Sequence, residues 1–192
     1  MTKNAALLLA PGFEEAEAII VLDILERLGI SVKKISCSDE KHIQSYHDVG
    51  IVADTLLREQ FDNYFDAVII PGGPKGTVNL SENTLVIDFI EKHDRLGKLI
   101  CPICSAAAKV LAPHGLLKGR RYVCSGTLSE GVTDGIYVDA PVVRDGNLIS
   151  GQGLGAAFDF AFNLAGILTL DYERTFRQAE HINYKLTLIE NS

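Results

Sequence analysis

The chain has 192 residues, a net charge of -7 and 47% hydrophobic residues, enough for one sizeable core and with no compositional break that argues for a second domain. Its basic residues are scattered rather than clustered, which argues against nucleic acid and anionic membrane surfaces as partners. Four cysteines (Cys37, Cys101, Cys104, Cys124) make no disulfide framework, the first residues lack a signal-like apolar stretch, and no apolar run approaches the ~20 residues that span a bilayer; a soluble cytoplasmic protein is expected.

Residues 5–10 form a continuous apolar run that stops at Pro11-Gly12, the pattern of a strand buried on both faces. Residues 14–28 read as a helix with acids in its first turn, Ile20, Ile24 and Leu28 on one face, and Gly29 as the stop. A strand over 31–35 and weaker short strands over 43–57 follow. Residues 65–70 are a second buried strand, ended by Pro71-Gly72-Gly73, and 83–96 a second helix. A third buried strand then runs straight into the small residues Ser105, Ala106 and Ala107, with Cys104 at the corner and a helix expected to residue 111. A segment around Tyr122, a hairpin at Arg144-Asp145-Gly146-Asn147, and a helix from Gly155 to about residue 170 complete the core. Residues 171–192 read as an extra amphipathic C-terminal helix. No repeats or low-complexity stretches interrupt this order.

Strands alternating with helices of this length predict an α/β sandwich with a mostly parallel sheet covered on both faces. Ligands bind such sheets beyond the carboxyl ends of the strands. Three loops converge on that edge: the one after Ala10, with Glu14, Glu15 and Glu17; Pro71-Gly72-Gly73; and the Cys104 turn. A thiol at a sharp strand-to-helix turn is exposed, strained and close to a helix N-terminus, which makes Cys104 the candidate nucleophile. Glu14 and Glu15 read as first-turn acids that favour the helix dipole, and Glu17 as the carboxyl aimed at Cys104 and kept protonated by burial. Gly72 and Gly73 are the sort of residue pair that brings backbone amides close to a ligand.

Competing chemistries fit less well. An extended strand puts Cys101 too far from Cys104 for a disulfide, so Cys101 reads as core. One Cys-x-x-Cys lacks the second pair a structural zinc site uses, and Gly72-Gly73-Pro74-Lys75-Gly76-Thr77 lacks phosphate-loop spacing. His42, His47, His93, His114 and His181 read as surface or structural. Cys37, at a strand end, reads equally as an exposed oxidisable thiol or a core residue.

At these loops the sequence resembles the ThiJ/PfpI superfamily over residues 3–170, most closely its branch containing the parkinsonism-associated deglycase. The residues that carry the resemblance are Ala10-Pro11-Gly12-Phe13-Glu14-Glu15-Ala16-Glu17, Ile70-Pro71-Gly72-Gly73 with Asn79-Leu80, Ile103-Cys104-Ser105-Ala106 with Leu111-Ala112, and Gly151-Gln152-Gly153-Leu154-Gly155. The resemblance implies a flavodoxin-like fold, a homodimer, Cys104 as nucleophile, Glu17 as its partner, and an oxyanion pocket from the amides of Gly73 and Ser105 beside Gly72. It also implies a small carbonyl substrate turned over without metal or organic cofactor. Two positions depart from the superfamily: its peptidase branch has histidine where Ser105 stands, and Ser125 occupies the place from which the deglycase branch often brings a histidine. The leading expectation is a glyoxalase- or deglycase-type enzyme in carbonyl stress defence. Its rival is a redox sensor or chaperone that uses oxidation of Cys104, and a peptidase or amidotransferase-like hydrolase ranks last.

Overall fold

In a computed structural model describing residues 2–189, seven strands form one sheet in the order β10-β11-β7-β6-β1-β2-β5. These are β1 (Asn4–Leu9), β2 (Ser31–Ser36), β5 (Thr55–Leu56), β6 (Ala67–Ile70), β7 (Leu99–Pro102), β10 (Val142–Asp145) and β11 (Leu148–Gly151). Pairing is parallel throughout except at the edge, where β10 and β11 form an antiparallel hairpin. The hairpin turns at Gly146 (φ +58°) and Asn147, as the sequence leads one to expect. Two short pairs lie outside the sheet, β3 (His42–Gln44) with β4 (Gly50–Val52) and β8 (Arg121–Tyr122) with β9 (Ile136–Tyr137).

The two-residue period of the strands divides the core cleanly. On β1, Ala5, Leu7 and Leu9 face one layer while Ala6 and Leu8, with Ala10, face the other. Strands β6 and β7 continue the division, with Ala67, Ile69 and Cys101 on the first side and Val68, Ile70 and Ile100 on the second. The first layer is covered by α1 (Glu15–Arg27), α5 (Ala157–Thr169) and α6 (Tyr172–His181). The second is covered by α2 (Leu57–Gln60), α3 (Pro74–Glu82), α4 (Thr84–Arg95) and the helical turns after β7. The result is the flavodoxin-like sandwich expected.

Four local differences from the sequence reading have physical causes. The buried stripe of α1 is Ala18, Val21, Ile24 and Leu25, continued by Leu28, and Ile20 is only partly covered. Helix α3, where the sequence reading places no element, is nucleated by Pro74 at its first position despite the internal Gly76. After Cys104 the chain does not form an ordinary α-helix: Ala107–Leu111 is a π turn, Ala112 N–H bonding Ala107 O, followed by a 3-10 turn at Ala112–His114 that ends on Gly115 (φ +65°). The C-terminal helix stops at His181, where Asn183 takes a left-handed φ of +58°. Residues 184–189 then run irregularly back across α5, and 190–192 of the expected tail lie outside the described residues. All four cysteines are free thiols. Cys37 is buried, and burial pushes its thiol far above the ordinary range.

Candidate functional site

The loops after β1 and β6 are laced together by backbone bonds, which sets the position of α1 and its acids. Glu14 N–H donates to Gly72 O at 3.0 Å and Gly76 N–H to Gly12 O at 3.0 Å. The β3–β4 pair supports the first loop from outside through Gly12 N–H to Gln44 O (2.8 Å) and Tyr46 N–H to Phe13 O (2.8 Å). The approach is so close that a Cβ on Gly73 would lie 2.4 Å from Gly12 O. Gly73 also has φ +102°, so only glycine fits there.

Cys104 follows β7 with φ +61°, a left-handed conformation that a residue with a Cβ adopts only under constraint. The constraint is visible: Cys104 N–H donates to Gly151 O at 2.9 Å, and Ser125 N–H donates to Cys104 O at 3.2 Å. Tied to β11 on one side and to the segment after β8 on the other, the peptide holds its sulfur outward, partly buried, at the sheet's carboxyl edge.

Glu17, in the first turn of α1, is only 1% exposed. Its Oε2 accepts from Gly72 N–H at 2.9 Å, and both this oxygen and Cys104 Sγ flank Gly72, 2.9 and 3.1 Å from where its Cβ would be. Burial pushes Glu17 up to about 7, partly countered by the Gly72 amide. Burial and the adjacent Glu17 carboxylate push Cys104 up to about 12, opposed by hydrogen bonds from the Ser105 amide and the Ser125 hydroxyl. The two groups titrate as a pair: one proton leaves near neutrality, and the second is retained because two adjacent buried anions repel. A protonated Glu17 beside a thiolate would add its own donor to those of the Ser105 amide and the Ser125 hydroxyl.

Outside this pair opens a cleft of about 420 Å³ lined by Glu14, Gly73, Thr77, Cys104, Ser105, Lys109 and Ser125, with Pro74, Val78 and Leu128 as apolar walls. The structure thus brings Cys104, Glu17, Gly73 and Ser105 together. The amide of Gly72 is taken by Glu17, so this glycine's part is close approach: a Cβ there would lie 2.7 Å from Cys104 Cβ and 2.9 Å from Glu17 Oε2. Ser125 lines the cleft beside Cys104, and among the described residues no histidine lines it. Glu14, read as a helix-dipole acid, lines the cleft as well. Sequence reasoning passed over Lys109 and Leu128, because a lysine after an alanine run looks like a solvated face. Among the described residues, one further group has metal-ligand geometry: Glu14, Glu15 and His47, whose ligand atoms all lie within 4.8 Å of one another.

A cysteine elbow at the carboxyl edge of a parallel sheet, with a buried carboxyl reaching it from the first helix, defines an α/β sandwich of the nucleophile-elbow class. The model of the DJ-1/PfpI family matches residues 3–166, and the chain belongs to that family. Protein dj-1beta of Drosophila melanogaster is 38% identical over 167 residues, covering 86% of this chain and 89% of the relative. Glutathione-independent glyoxalase DJR-1.2 of Caenorhabditis elegans is 34% identical over 169 residues, 86% of this chain and 89% of that protein. Among solved structures, a cysteine-to-alanine mutant of a DJ-1 superfamily protein from Salmonella typhimurium superposes with a TM-score of 0.95. It is 59% identical and covers 96% of this chain and 100% of the other. Among the described residues no helix is long and apolar enough to cross a membrane.

Proposed function

We propose that this protein is a cytoplasmic, cysteine-dependent enzyme that converts small reactive carbonyls, of glyoxalase or deglycase type, without metal or organic cofactor. The observation that carries the reading is the close approach of the buried Glu17 carboxyl and the strained Cys104 sulfur, both of which a Cβ on Gly72 would meet, at 2.9 and 3.1 Å. The DJR-1.2 relative, named a glutathione-independent glyoxalase, supports it.

The chemistry follows from that pair. With the shared proton on Glu17, Cys104 Sγ adds to the aldehyde carbon of a 2-oxoaldehyde; the carbonyl electron pair moves to oxygen, held by the amides of Ser105 and Gly73, and takes the Glu17 proton. The Glu17 carboxylate, now a base, removes the hydrogen from that carbon as the adjacent carbonyl oxygen takes up a proton, giving an enediol; loss of the first carbon's hydroxyl proton and return of the Glu17 proton to the neighbouring carbon then leave a carbonyl on the first carbon and a hydroxyl on the second, so one carbon is oxidised and the other reduced. Ser125 can donate to the sulfur but is no base, which leaves Glu17 as the proton carrier. The product is a thioester on Cys104, and water releases it as a 2-hydroxy acid with the thiol restored. Methylglyoxal plus water gives lactate, with no external oxidant.

The test is lactate formation from methylglyoxal by wild type, Cys104→Ala and Glu17→Gln at equal concentration. Loss in both variants, by at least about 100-fold, is expected; full activity in Cys104→Ala would sink the mechanism. No lactate from any of the three would favour instead a sensor in which Cys104 is oxidised.

The working unit is proposed to be a homodimer, supported by Ile19 on α1 (41% exposed) and by Val49 (47%) and Val52 (63%) at β4, apolar residues left open in one chain. Light scattering at micromolar concentration should give twice the chain mass; a monomer at all concentrations would exclude it.

A further inference from the structure

The cleft above Cys104 is lined by residues of opposite charge, Glu14 and Lys109. Glu14 belongs to the β1 loop, pinned to Gly72 and electrostatically coupled to Glu17. Lys109 belongs to the π turn, one helical turn past Ser105, its N–H donating to Ser105 O at 2.9 Å. Among the described residues Lys109 forms no ion pair. It also borders a neighbouring hollow with Glu130 and Asp134, but the Asp134 carboxylate is occupied by the amides of Leu117 (2.7 Å) and Lys118 (3.3 Å). Lys109 is exposed and lines the cleft together with Cys104 and the apolar residues Pro74, Val78 and Leu128. At about 420 Å³ the space far exceeds what three-carbon methylglyoxal fills.

We propose that Lys109 selects 2-oxoaldehydes that carry a carboxylate a few bonds beyond the reacting aldehyde, of which 4,5-dioxopentanoate is the simplest probe. The proposal rests on the carbonyl-enzyme reading above and names its substrate class. The aldehyde meets Cys104, the short methylene arm lies along the apolar walls, and the terminal carboxylate reaches Lys109. Glu14 repels the same carboxylate in the reversed orientation, so the two charges together fix which end meets the sulfur. The bonds made and broken are those of methylglyoxal turnover: sulfur adds to the aldehyde carbon, a proton moves from that carbon to its neighbour by way of Glu17, and one water releases 2-hydroxyglutarate.

The experiment compares kcat/KM for 4,5-dioxopentanoate, relative to methylglyoxal, in wild type, Lys109→Gln and Lys109→Arg. Lys109→Gln should lower the ratio about two- to fivefold, the range of an exposed charge contact, chiefly through KM; Lys109→Arg should restore most of it, and salt should lower it in wild type and Lys109→Arg but not in Lys109→Gln. A ratio unchanged in Lys109→Gln overturns the proposal. A calorimetric titration that needs no turnover separates the two readings, using Cys104→Ala protein with 4-oxopentanoate and with its methyl ester. Preference for the acid that disappears in the Cys104→Ala, Lys109→Gln double variant supports the anion site even if no variant turns over any aldehyde, in which case the carbonyl-enzyme reading alone fails. Equal binding of acid and ester overturns the anion site whatever the kinetics show.

Discussion

At Cys104 the backbone conformation and the ionisation of the side chain serve one end. A left-handed φ of +61° on a non-glycine residue costs on the order of 1–3 kcal/mol. The cost is met by bonds to Gly151 and Ser125 that would be lost in any relaxed geometry. The sulfur is thereby placed where Glu17, fixed by Gly72, can share its proton. Gly72 offers a clean probe of that placement, because its φ is not left-handed and alanine meets only a steric objection. In Gly72→Ala the new methyl would fall 3.1 Å from Cys104 Sγ as well as against Cys104 Cβ and Glu17 Oε2. Sulfur and carboxyl must part, at a cost of about 1–3 kcal/mol in stability. The expected outcome is a folded protein with a lowered melting temperature, at least tenfold less turnover, and an altered pH profile of Cys104 alkylation. Wild-type alkylation and turnover in Gly72→Ala would mean that the close approach has no bearing on the pair.

At the scale of elements, the chain after α6 shows how a polar residue inside an apolar helix face acquires a purpose. Asn163 is buried on α5, and its side chain clamps the tail from both directions: Nδ2 donates to Thr187 O at 3.0 Å, and Oδ1 accepts from Ile189 N–H at 2.9 Å. Tyr184 stacks on Phe158 and Phe162, with ring centroids 5.0 and 5.8 Å apart. Asn163→Ala leaves two backbone groups without their partner and should cost about 1–3 kcal/mol. Hydrogen exchange should show the Ile189 amide losing protection before α5 does; simultaneous loss throughout α5 would mean that the tail and helix open as one unit. None of this clamp was legible in the sequence, where periodicity carried the C-terminal helix past Asn183 to the end of the chain. What was legible had strong local signals: the apolar runs of β1, β6 and β7, the Gly29 stop, the hairpin at Gly146, and a cysteine at a strand-to-helix corner. Helix α3 was hidden because Gly76 and a polar composition mask a segment whose reason to be helical is Pro74 and contact with the β1 loop. Within the site, Cys104 stood out by its strand-to-helix corner, whereas Glu17 and Gly73 were singled out by the family resemblance, since an acid in a first helical turn and a glycine pair in a turn are not distinctive by themselves. Lys109 was not, since only the three-dimensional course of the π turn makes it border the cleft.

Across the whole molecule, two buried titratable groups on opposite faces of the sheet pull stability in opposite directions with pH. His93 on α4 is fully buried and neutral, accepting from Phe65 N–H through Nε2 at 3.1 Å while Nδ1–H donates to Phe89 O at 2.8 Å. Burial lowers its proton affinity, so the unfolded chain binds the proton more readily, and the contribution of His93 is lost as pH falls below the ordinary imidazole value of about 6.5. Glu17 has the reverse sign. Its affinity is raised from 4.5 to about 7, so the folded state holds the proton more tightly; its contribution is complete below pH 4.5 and lost as pH rises through 7. A shift of that size corresponds to about 3 kcal/mol, which the folded protein loses over this window. Glu17→Gln keeps an acceptor for the Gly72 amide without a charge to bury. Denaturant titrations of the variant and wild type at pH 4.5 and 7.5 should therefore diverge, the variant gaining on the order of 3 kcal/mol relative to wild type at the higher pH. His93→Gln should not reproduce that gain, since removing His93 relieves a penalty only on the acid side. A constant stability difference between Glu17→Gln and wild type across the window would show that Glu17 is ionised in the folded protein throughout, and the shared proton, with the catalytic role drawn from it, would have to be abandoned.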